Sequence, residues 1–398
     1  LSPFLERLRE TFDFVQRPLR IDRRMRVGVI GGGQLARMMV PPAVELGVEI
    51  RVLAESAGMS AAIAATAVGD YRDLDTVLAF AADVDVITFD HEHVPQNVLA
   101  ALVAAGHAVH PGPDALAVAQ DKIVMRERLT GIGAPVPDWA VVHDKPALGV
   151  FLRSHGGQAV VKTPRGGYDG KGVRVVRAAD AADDWLALAA AGTGEGLLVE
   201  ELVDFRRELA QLVARRPSGE VRAWPLVETV QRDGVCAEVF APAPSAGELP
   251  AAARALAERI AAELGVTGVL AVELFETSDG ALLINELAMR PHNTGHWTID
   301  GAVTSQFEQH LRAVLDLPLG DPSPIAPWSV MVNILGGPAG ETMPDRYGVA
   351  FADRPEVKFH SYGKESRAGR KVGHVTALGS ELDDTVARAR AAAGFFQA

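Results

Sequence analysis

The sequence predicts an α/β protein of two or three domains that begins on an open parallel sheet. Three observations carry this. From Met25, strand-like and helix-like segments alternate over about 90 residues, as parallel strands joined by crossover helices do. The first strand feeds GVIGGGQLARM (28–38), where Gly31, Gly33 and Ala36 fit the G-x-G-x-x-G/A spacing of strand, glycine turn and helix. A length of 398 residues suffices for several separate cores.

In chain order, RVGVIG reads as a strand and QLARMMVPPAVELG as a helix that Pro41 and Pro42 should kink or restart. EIRVLAE is a second strand closing on Glu55, near where a dinucleotide-binding acid would sit. LDTVLAFAADV follows as a helix and DVITFD as a strand ending at His91-Glu92-His93. The loop HPGPDA marks the end of this sheet domain, and one helix (ALAVAQDKIVMRERLT) leads from it to GIGAPVPDW. Val141 to Leu202 gives strand, helix, strand, glycine loop, strand, helix and strand. A Pro/Ala stretch (APAPSAGELP) and a helix (AAARALAERIAAELG) precede two apolar runs around a turn, GVLAVELFETSDGALLINEL. Beyond Pro318 the tail is Pro-rich, then strand-like (SVMVNILG), and it ends on HSYGKESRAGRKVGHVTAL.

Composition narrows the function. With 48% hydrophobic and 23% charged residues, the chain reads as a soluble globular enzyme, and no apolar run approaches a membrane span of ~20 residues. A net charge of −12 argues against a nucleic-acid partner, yet a local Arg/Lys cluster could still hold a small anion. The single cysteine, Cys236, excludes an intramolecular disulfide, suits a reducing cytoplasm and is expected to be a small buried hydrophobe. Residues 1–24 carry Arg together with Glu6, Glu10, Asp13 and Asp22, unlike a secretory signal, and read as an extension before a start at Met25.

Two stretches point to chemistry. In KTPRGGYDGKG, Gly166, Gly167, Gly170 and Gly172 fall in seven residues between two strands, more than a tight hairpin needs. Backbone amides of such a loop can close on an anion, with Lys162 on the preceding strand and Lys171 inside. The spacing is not that of a Walker A loop, and a flexible surface hairpin remains an equal alternative.

The second stretch is GVLAVELFETSDGALLINEL. A two-residue turn at Asp279-Gly280 would place Glu273 opposite Glu286, Phe275 opposite Ile284 and Thr277 opposite Leu282. Facing carboxylates destabilise a strand pair, and apolar neighbours make the repulsion worse. A divalent cation removes the conflict; hard oxygen donors with Asn285 adjacent favour Mg²⁺ over zinc. In AMRPHNTGHW, His292 and His296 are four apart, but Pro291, Asn293 and Gly295 oppose a helix, so a zinc pair is disfavoured. Arg290, His292 and Asn293 form a donor-rich loop suited to a small oxyanion.

Together these segments resemble the ATP-grasp superfamily. More narrowly, GGGQLARM, GGYDGKG, LLINELAMRPHNTGHW and GRKVGH resemble the 5-(carboxyamino)imidazole ribonucleotide synthase family of purine biosynthesis, from Met25 to about Leu378. The resemblance implies an extension (1–24), a Rossmann-like domain (25–116), an ATP-grasp domain (117–322, lid at about 138–203) and a small β-rich C-terminal domain (323–398). In that family the first domain binds no dinucleotide, so Glu55 and the glycine fingerprint mislead; Gln34 would serve the substrate side.

The implied chemistry is ATP-dependent activation of bicarbonate to carboxyphosphate and transfer of the carboxyl group to the amine of aminoimidazole ribonucleotide. Lys122 and Lys162 would meet ATP phosphates, with Gly167, Tyr168, Asp169, Gly170, Lys171, Gly172 and Val173 folding over them. Glu200, Glu201, Leu202 and Val203 would hold adenine, and Glu208 the ribose. Glu273 and Glu286 would carry Mg²⁺ beside Asn285, and Arg290, His292 and Asn293 the bicarbonate. Tyr168 and Asp169 would meet the imidazole, with Lys171 in the catalytic set, and Lys364, Arg370 and Lys371 the 5′-phosphate. Where relatives often carry His, this chain has Gln231, which puts a nucleotide contact there in doubt. A cytoplasmic homodimer that hands its product to a mutase completes the implication. The rivals are another carboxylate-activating ligase, such as biotin carboxylase or a formyl-phosphate transformylase, and a nucleotide-binding subunit without turnover. The tail GRKVGH disfavours the first and the intact Arg290-His292-Asn293 set the second.

Overall fold

The computed structural model describes residues 25–167, 171–192, 194–337, 339–367 and 369–397. Strands β1 (Arg26–Ile30), β2 (Glu49–Ala54), β3 (Ala65–Val68), β4 (Val86–Phe89) and β5 (Ala108–Val109) form a parallel sheet in the order β3-β2-β1-β4-β5. The strand order reverses between β1 and β4, so the loops after these two strands open one crevice. β4 is buried along its whole length, as a strand covered on both faces must be.

Helix Gln34–Leu46 runs unbroken through Pro41 and Pro42, against the expected kink or restart. Its stripe Leu35, Ala36, Met39 and Ala43 is buried against the sheet and helix Gln306–Val314. The single helix expected after HPGPDA is two, Pro113–Gln120 and Lys122–Gly131. Asp121 between them is extended and caps the second, its carboxylate accepting from the Ile123 and Val124 amides.

β6 (Trp139–Val142), β7 (Ala159–Lys162), β8 (Val173–Val176) and β9 (Leu197–Glu201) make an antiparallel sheet in the order β6-β9-β7-β8. Helices Lys145–Ser154 and Asp183–Ala191 cover it, in the element order the sequence implies.

The remaining strands are β10 (Phe205–Arg215), β11 (Val221–Ala223), β12 (Val227–Arg232), β13 (Val235–Ala241), β14 (Gly268–Thr277), β15 (Leu282–Ala288), β16 (Trp328–Leu335), β17 (Lys358–Ser361) and β18 (Lys371–Gly379). They form one nine-stranded sheet, β15-β14-β10-β12-β13-β16-β18-β17, with β11 against β10. Because β13 pairs with β16, the C-terminal strands continue the central sheet rather than forming their own. Leu209, Leu270, Leu274 and Ile284 pack with Met125, Leu129 and Ile260 beneath β10, β14 and β15. Truncating any of these four to Ala should cost ~2–5 kcal/mol, because each fills the core beneath Glu273.

Candidate active site

Glu273 on β14 does face Glu286 on β15, but by a different route from the one expected. The turn is not the two-residue type: Gly280 N–H donates to Thr277 O at 2.9 Å, Thr277 N–H donates to Ala281 O at 2.9 Å, and Gly280 has φ +87°. That is a three-residue loop with glycine in the left-handed position. It shifts the neighbouring pairs by one, so Phe275 meets Leu283 and Glu276 meets Leu282, correcting the Phe275–Ile284 and Thr277–Leu282 pairs. A bulge at Asn285 then absorbs one extra residue and restores Glu273 to Glu286. Asn285 and Glu286 are consequently both half-buried, where strict alternation would bury one of them.

Burial, and then the charge of Glu286, push the Glu273 carboxyl up to about 8. His292 Nε2 lies 3.5 Å from Glu273 Oε1. Burial, followed by the charges of Arg290 and Lys371, lowers His292 to about 3, so this histidine is neutral and the contact is not an ion pair. Lys122 Nζ stands 2.7 Å from Glu286 Oε1. Among the described residues no cluster of three or more His, Cys, Asp or Glu could hold an ion. The facing pair would fit a hard cation such as Mg²⁺, which takes one or two carboxylates and completes its shell with phosphate oxygens and water. The facing of the two carboxylates, with Glu273 pushed up to about 8, is the observation favouring such an ion.

A pH effect follows. Glu273 is raised above its unfolded value, so between about 4.5 and 8 the folded state keeps a proton that the unfolded chain releases. Stability without metal should fall as pH rises through that window. Differential scanning fluorimetry should show the decline flattened in Glu273→Gln and opposed by Mg²⁺ at pH 8; an identical pH profile for the variant would refute the buried protonated carboxyl.

Lys162 Nζ lies 2.6 Å from Glu200 Oε2 and donates to Asn285 Oδ1 at 3.3 Å. Burial lowers the Lys162 pKa against the pull of Glu200. For Glu200, burial acts upward but Lys162 and Arg126 outweigh it, and the carboxyl stays below its ordinary range. Glu200 itself sits inside the sheet, between Trp139 and Val160. Glu201 ends the strand, its carboxylate accepting from Asp138 N–H at 3.0 Å, and Leu202 and Val203 follow half-buried. Glu208 on β10 is raised by burial and takes a side-chain hydrogen bond from Gln231, so the departure at Gln231 touches the ribose candidate.

At the glycine loop, Thr163 N–H donates to Gly172 O at 2.9 Å and Lys162 pairs with Val173. A Cβ on Gly172 would stand 2.5 Å from Thr163 Oγ1, and one on Gly167 2.5 Å from Lys171 O, so glycine is obligatory at this neck. Tyr168, Asp169 and Gly170 lie outside the described residues.

Arg290 Nε donates to Glu92 Oε2 at 2.7 Å, and Met289 N–H to Glu92 Oε1 at 3.3 Å, so the loop after β4 anchors the segment that carries Arg290, His292 and Asn293. The amides of Asn293 and Asn333 bond each other, Nδ2 to Oδ1, at 3.1 and 2.6 Å. His296 is fully buried and bonds Gln306 at 2.9 Å, apart from His292. Lys364 Nζ donates to Gln34 Oε1 at 2.8 Å, which brings the basic tail to the first glycine loop. Arg370 Nη1 donates to Glu365 O at 3.3 Å, and the charge of Lys371 is felt at Glu273 and His292.

The first glycine loop holds carboxylates of its own. Gly32 N–H donates to Glu55 Oε2 at 2.9 Å and Ala36 N–H to Asp90 Oδ1 at 2.8 Å. A Cβ on Gly33 would be 2.0 Å from Asp90 Oδ2. The amides a pyrophosphate would use are thus engaged, and NAD and NADP should not bind; a micromolar dinucleotide site by calorimetry would overturn this.

A ribonucleotide synthetase preATP-grasp domain model matches residues 24–120, an ATP-grasp domain model 127–307, and a phosphoribosylaminoimidazole carboxylase C-terminal domain model 329–388. The N5-carboxyaminoimidazole ribonucleotide synthase of Mycobacterium tuberculosis (strain ATCC 25618 / H37Rv) is 53% identical over 92% of this chain and 86% of that protein. The chain belongs to the N5-carboxyaminoimidazole ribonucleotide synthase family. A crystal structure of an ADP complex of such a synthetase has a TM-score of 0.84 at 35% identity, covering 92% of this chain and 96% of that one. The Aspergillus clavatus synthase, crystallised with ADP and 5-aminoimidazole ribonucleotide, has a TM-score of 0.82 at 30% identity, covering 93% and 98%.

Lys122, Lys162, Asn285 and both acids, all picked out by the sequence, come together at one place. Glu92, Arg126, Asp90 and Asn333 do not stand out in the sequence. A signal existed for two of them: Asp90 and Glu92 follow β4, which lies beside β1 at the reversal of strand order. Arg126 and Asn333 carried none, since their partners are 159 and 40 residues away.

Proposed function

We propose that the cleft between β15, the β6–β9 sheet and the first domain carboxylates the exocyclic amine of 5-aminoimidazole ribonucleotide, using ATP and bicarbonate. The observation that carries the reading is the Glu273–Glu286 pair, with Lys122 and Lys162 nearby and His292 against Glu273. A bicarbonate oxygen attacks the γ-phosphorus, the bond to the β-γ bridging oxygen breaks, and ADP leaves. The amine nitrogen then bonds the carboxyl carbon of carboxyphosphate, the carbon–oxygen bond to phosphate breaks, and the amine loses a proton.

Phosphoryl transfer needs positioning and charge neutralisation more than covalent help. Lys122 and Lys162 would supply positive charge to the phosphates, and Glu273 and Glu286, with Asn285, would hold Mg²⁺. When bound, Mg²⁺ would neutralise charge on the transferred group. Arg290, aimed by Glu92, and neutral His292 would hold bicarbonate, while Asn293, tied to Asn333, positions that loop. Carboxyphosphate is attacked by water, so the loop from Gly167 through Tyr168, Asp169, Gly170, Lys171 and Gly172 would exclude solvent, Tyr168 and Asp169 meeting the imidazole. Gln34, Lys364, Arg370 and Lys371 would bind the ribonucleotide, and Glu200, Glu201, Leu202 and Val203, largely through backbone, with Glu208, the nucleoside of ATP.

A cytoplasmic homodimer passing its product to a mutase belongs to the same reading. Among the described residues no helix is long and apolar enough to cross a membrane. The test is ADP release measured with and without the ribonucleotide and bicarbonate. Release that needs both supports the proposal; release indifferent to the ribonucleotide would refute the substrate.

A further inference from the structure

Arg126 is fully buried on helix Lys122–Gly131, one turn beyond Lys122. Its Nε donates to Glu200 Oε1, and its Nη2 donates to Asn285 O at 2.7 Å. Lys162 Nζ meets the other Glu200 oxygen at 2.6 Å and also donates to Asn285 Oδ1 at 3.3 Å. Arg126, Glu200, Lys162 and Asn285 thus close a four-membered ring drawn from the helix, the β6–β9 sheet and the β14–β15 hairpin. Asn285 is the bulged residue whose displacement brings Glu286 opposite Glu273.

Two cations and one anion leave the ring with a surplus positive charge, and Arg126 Nη1 is buried without a hydrogen-bond partner. Surplus charge away from water is costly unless an anion arrives. Phosphates at Lys162 would be that anion.

We propose that Arg126 is a positioning residue for phosphoryl transfer, holding Lys162 through Glu200 and the Glu273–Glu286 pair through the Asn285 carbonyl. The proposal rests on the ATP and Mg²⁺ reading above. A guanidinium suits this because its planar fork reaches two acceptors at fixed angles, which an ammonium on a flexible stem does not.

The experiment compares wild type, Arg126→Lys and Arg126→Gln. Loss of a residue that orients metal-site groups typically costs about 10–100-fold in activity or metal affinity. Arg126→Gln should lower kcat and raise the Mg²⁺ concentration for half-maximal rate, each by about ten-fold or more, with KM for the ribonucleotide unchanged. Arg126→Lys, which keeps charge and approximate volume, should fold and recover part of both losses. If Arg126→Gln does not fold, Arg126→Lys alone decides. Calorimetry of a nonhydrolysable ATP analogue with Mg²⁺ or EDTA should show the Mg²⁺-dependent gain in affinity reduced in Arg126→Lys. Wild-type kcat, Mg²⁺ response and analogue binding in Arg126→Lys would overturn the proposal, leaving a purely structural arginine. Should wild type release no ADP in response to the ribonucleotide, the functional reading fails while the calorimetry still decides on Arg126.

Discussion

Glu286→Gln should abolish Mg²⁺-dependent ADP release while leaving the fold intact or slightly more stable. The substitution removes charge without changing shape. It takes one carboxylate from the facing pair and also removes the partner of Lys122, 2.7 Å away. Removing one preorganised electrostatic group from an active site costs about 10²–10³-fold in kcat, and here a metal ligand and a lysine's counter-ion go together. Stability moves the other way. Burial and the charge of Glu286 hold the Glu273 carboxyl at about 8, and the neutral amide introduced by Glu286→Gln would relieve the second of these. Loss of rate with an unchanged or higher melting temperature is the combined signature. Wild-type ADP release at ordinary Mg²⁺ would sink the metal assignment.

Arg370→Ala should raise KM for the ribonucleotide by about ten-fold to a hundred-fold, because a charge-assisted phosphate contact is worth roughly 1.5–3 kcal/mol. Residues 364–371 place Lys364, Arg367, Arg370 and Lys371 with one acid, Glu365, a net +3 on a chain of −12. A solvated basic turn would look the same in the sequence. The structure folds this segment against the first domain: Lys364 meets Gln34, and Arg37 Nε donates to Ser361 O at 3.2 Å. A phosphate clamp binds ground and transition states alike, so kcat and KM for ATP should barely move. A shift in KM for ATP, or in neither constant, would place the clamp elsewhere.

Much of the site was legible because its logic is local. The facing of Glu273 and Glu286 could be read from strand period and an Asp-Gly turn signal. The alternation of strand and helix from Met25 to Phe89 likewise pointed to a parallel sheet, since crossover helices join parallel strands. The pairing of the two acids nevertheless came out right for a partly wrong reason. The turn holds one residue more than supposed, and the bulge at Asn285 cancels the shift. A sequence cannot announce such a bulge, because Arg126, which donates to Asn285 O, lies 159 positions away.

The same division runs through the molecule. The sequence by itself determined the element types, the acids, the lysines and the donor-rich loop, because each depends on residues within one strand, helix or turn. Only the tertiary structure decided what those groups meet. Glu200 became the counter-ion of Lys162 and Arg126, and Glu92 the anchor of Arg290. Asp90 and Glu55 took the glycine-loop amides that a dinucleotide would otherwise claim. Helix Gln34–Leu46 kept its course through two prolines because a buried apolar stripe outweighs the lost hydrogen bonds. In each case a charge or backbone group buried by packing must find a partner, and the fold, not chain proximity, decides which partner is within reach.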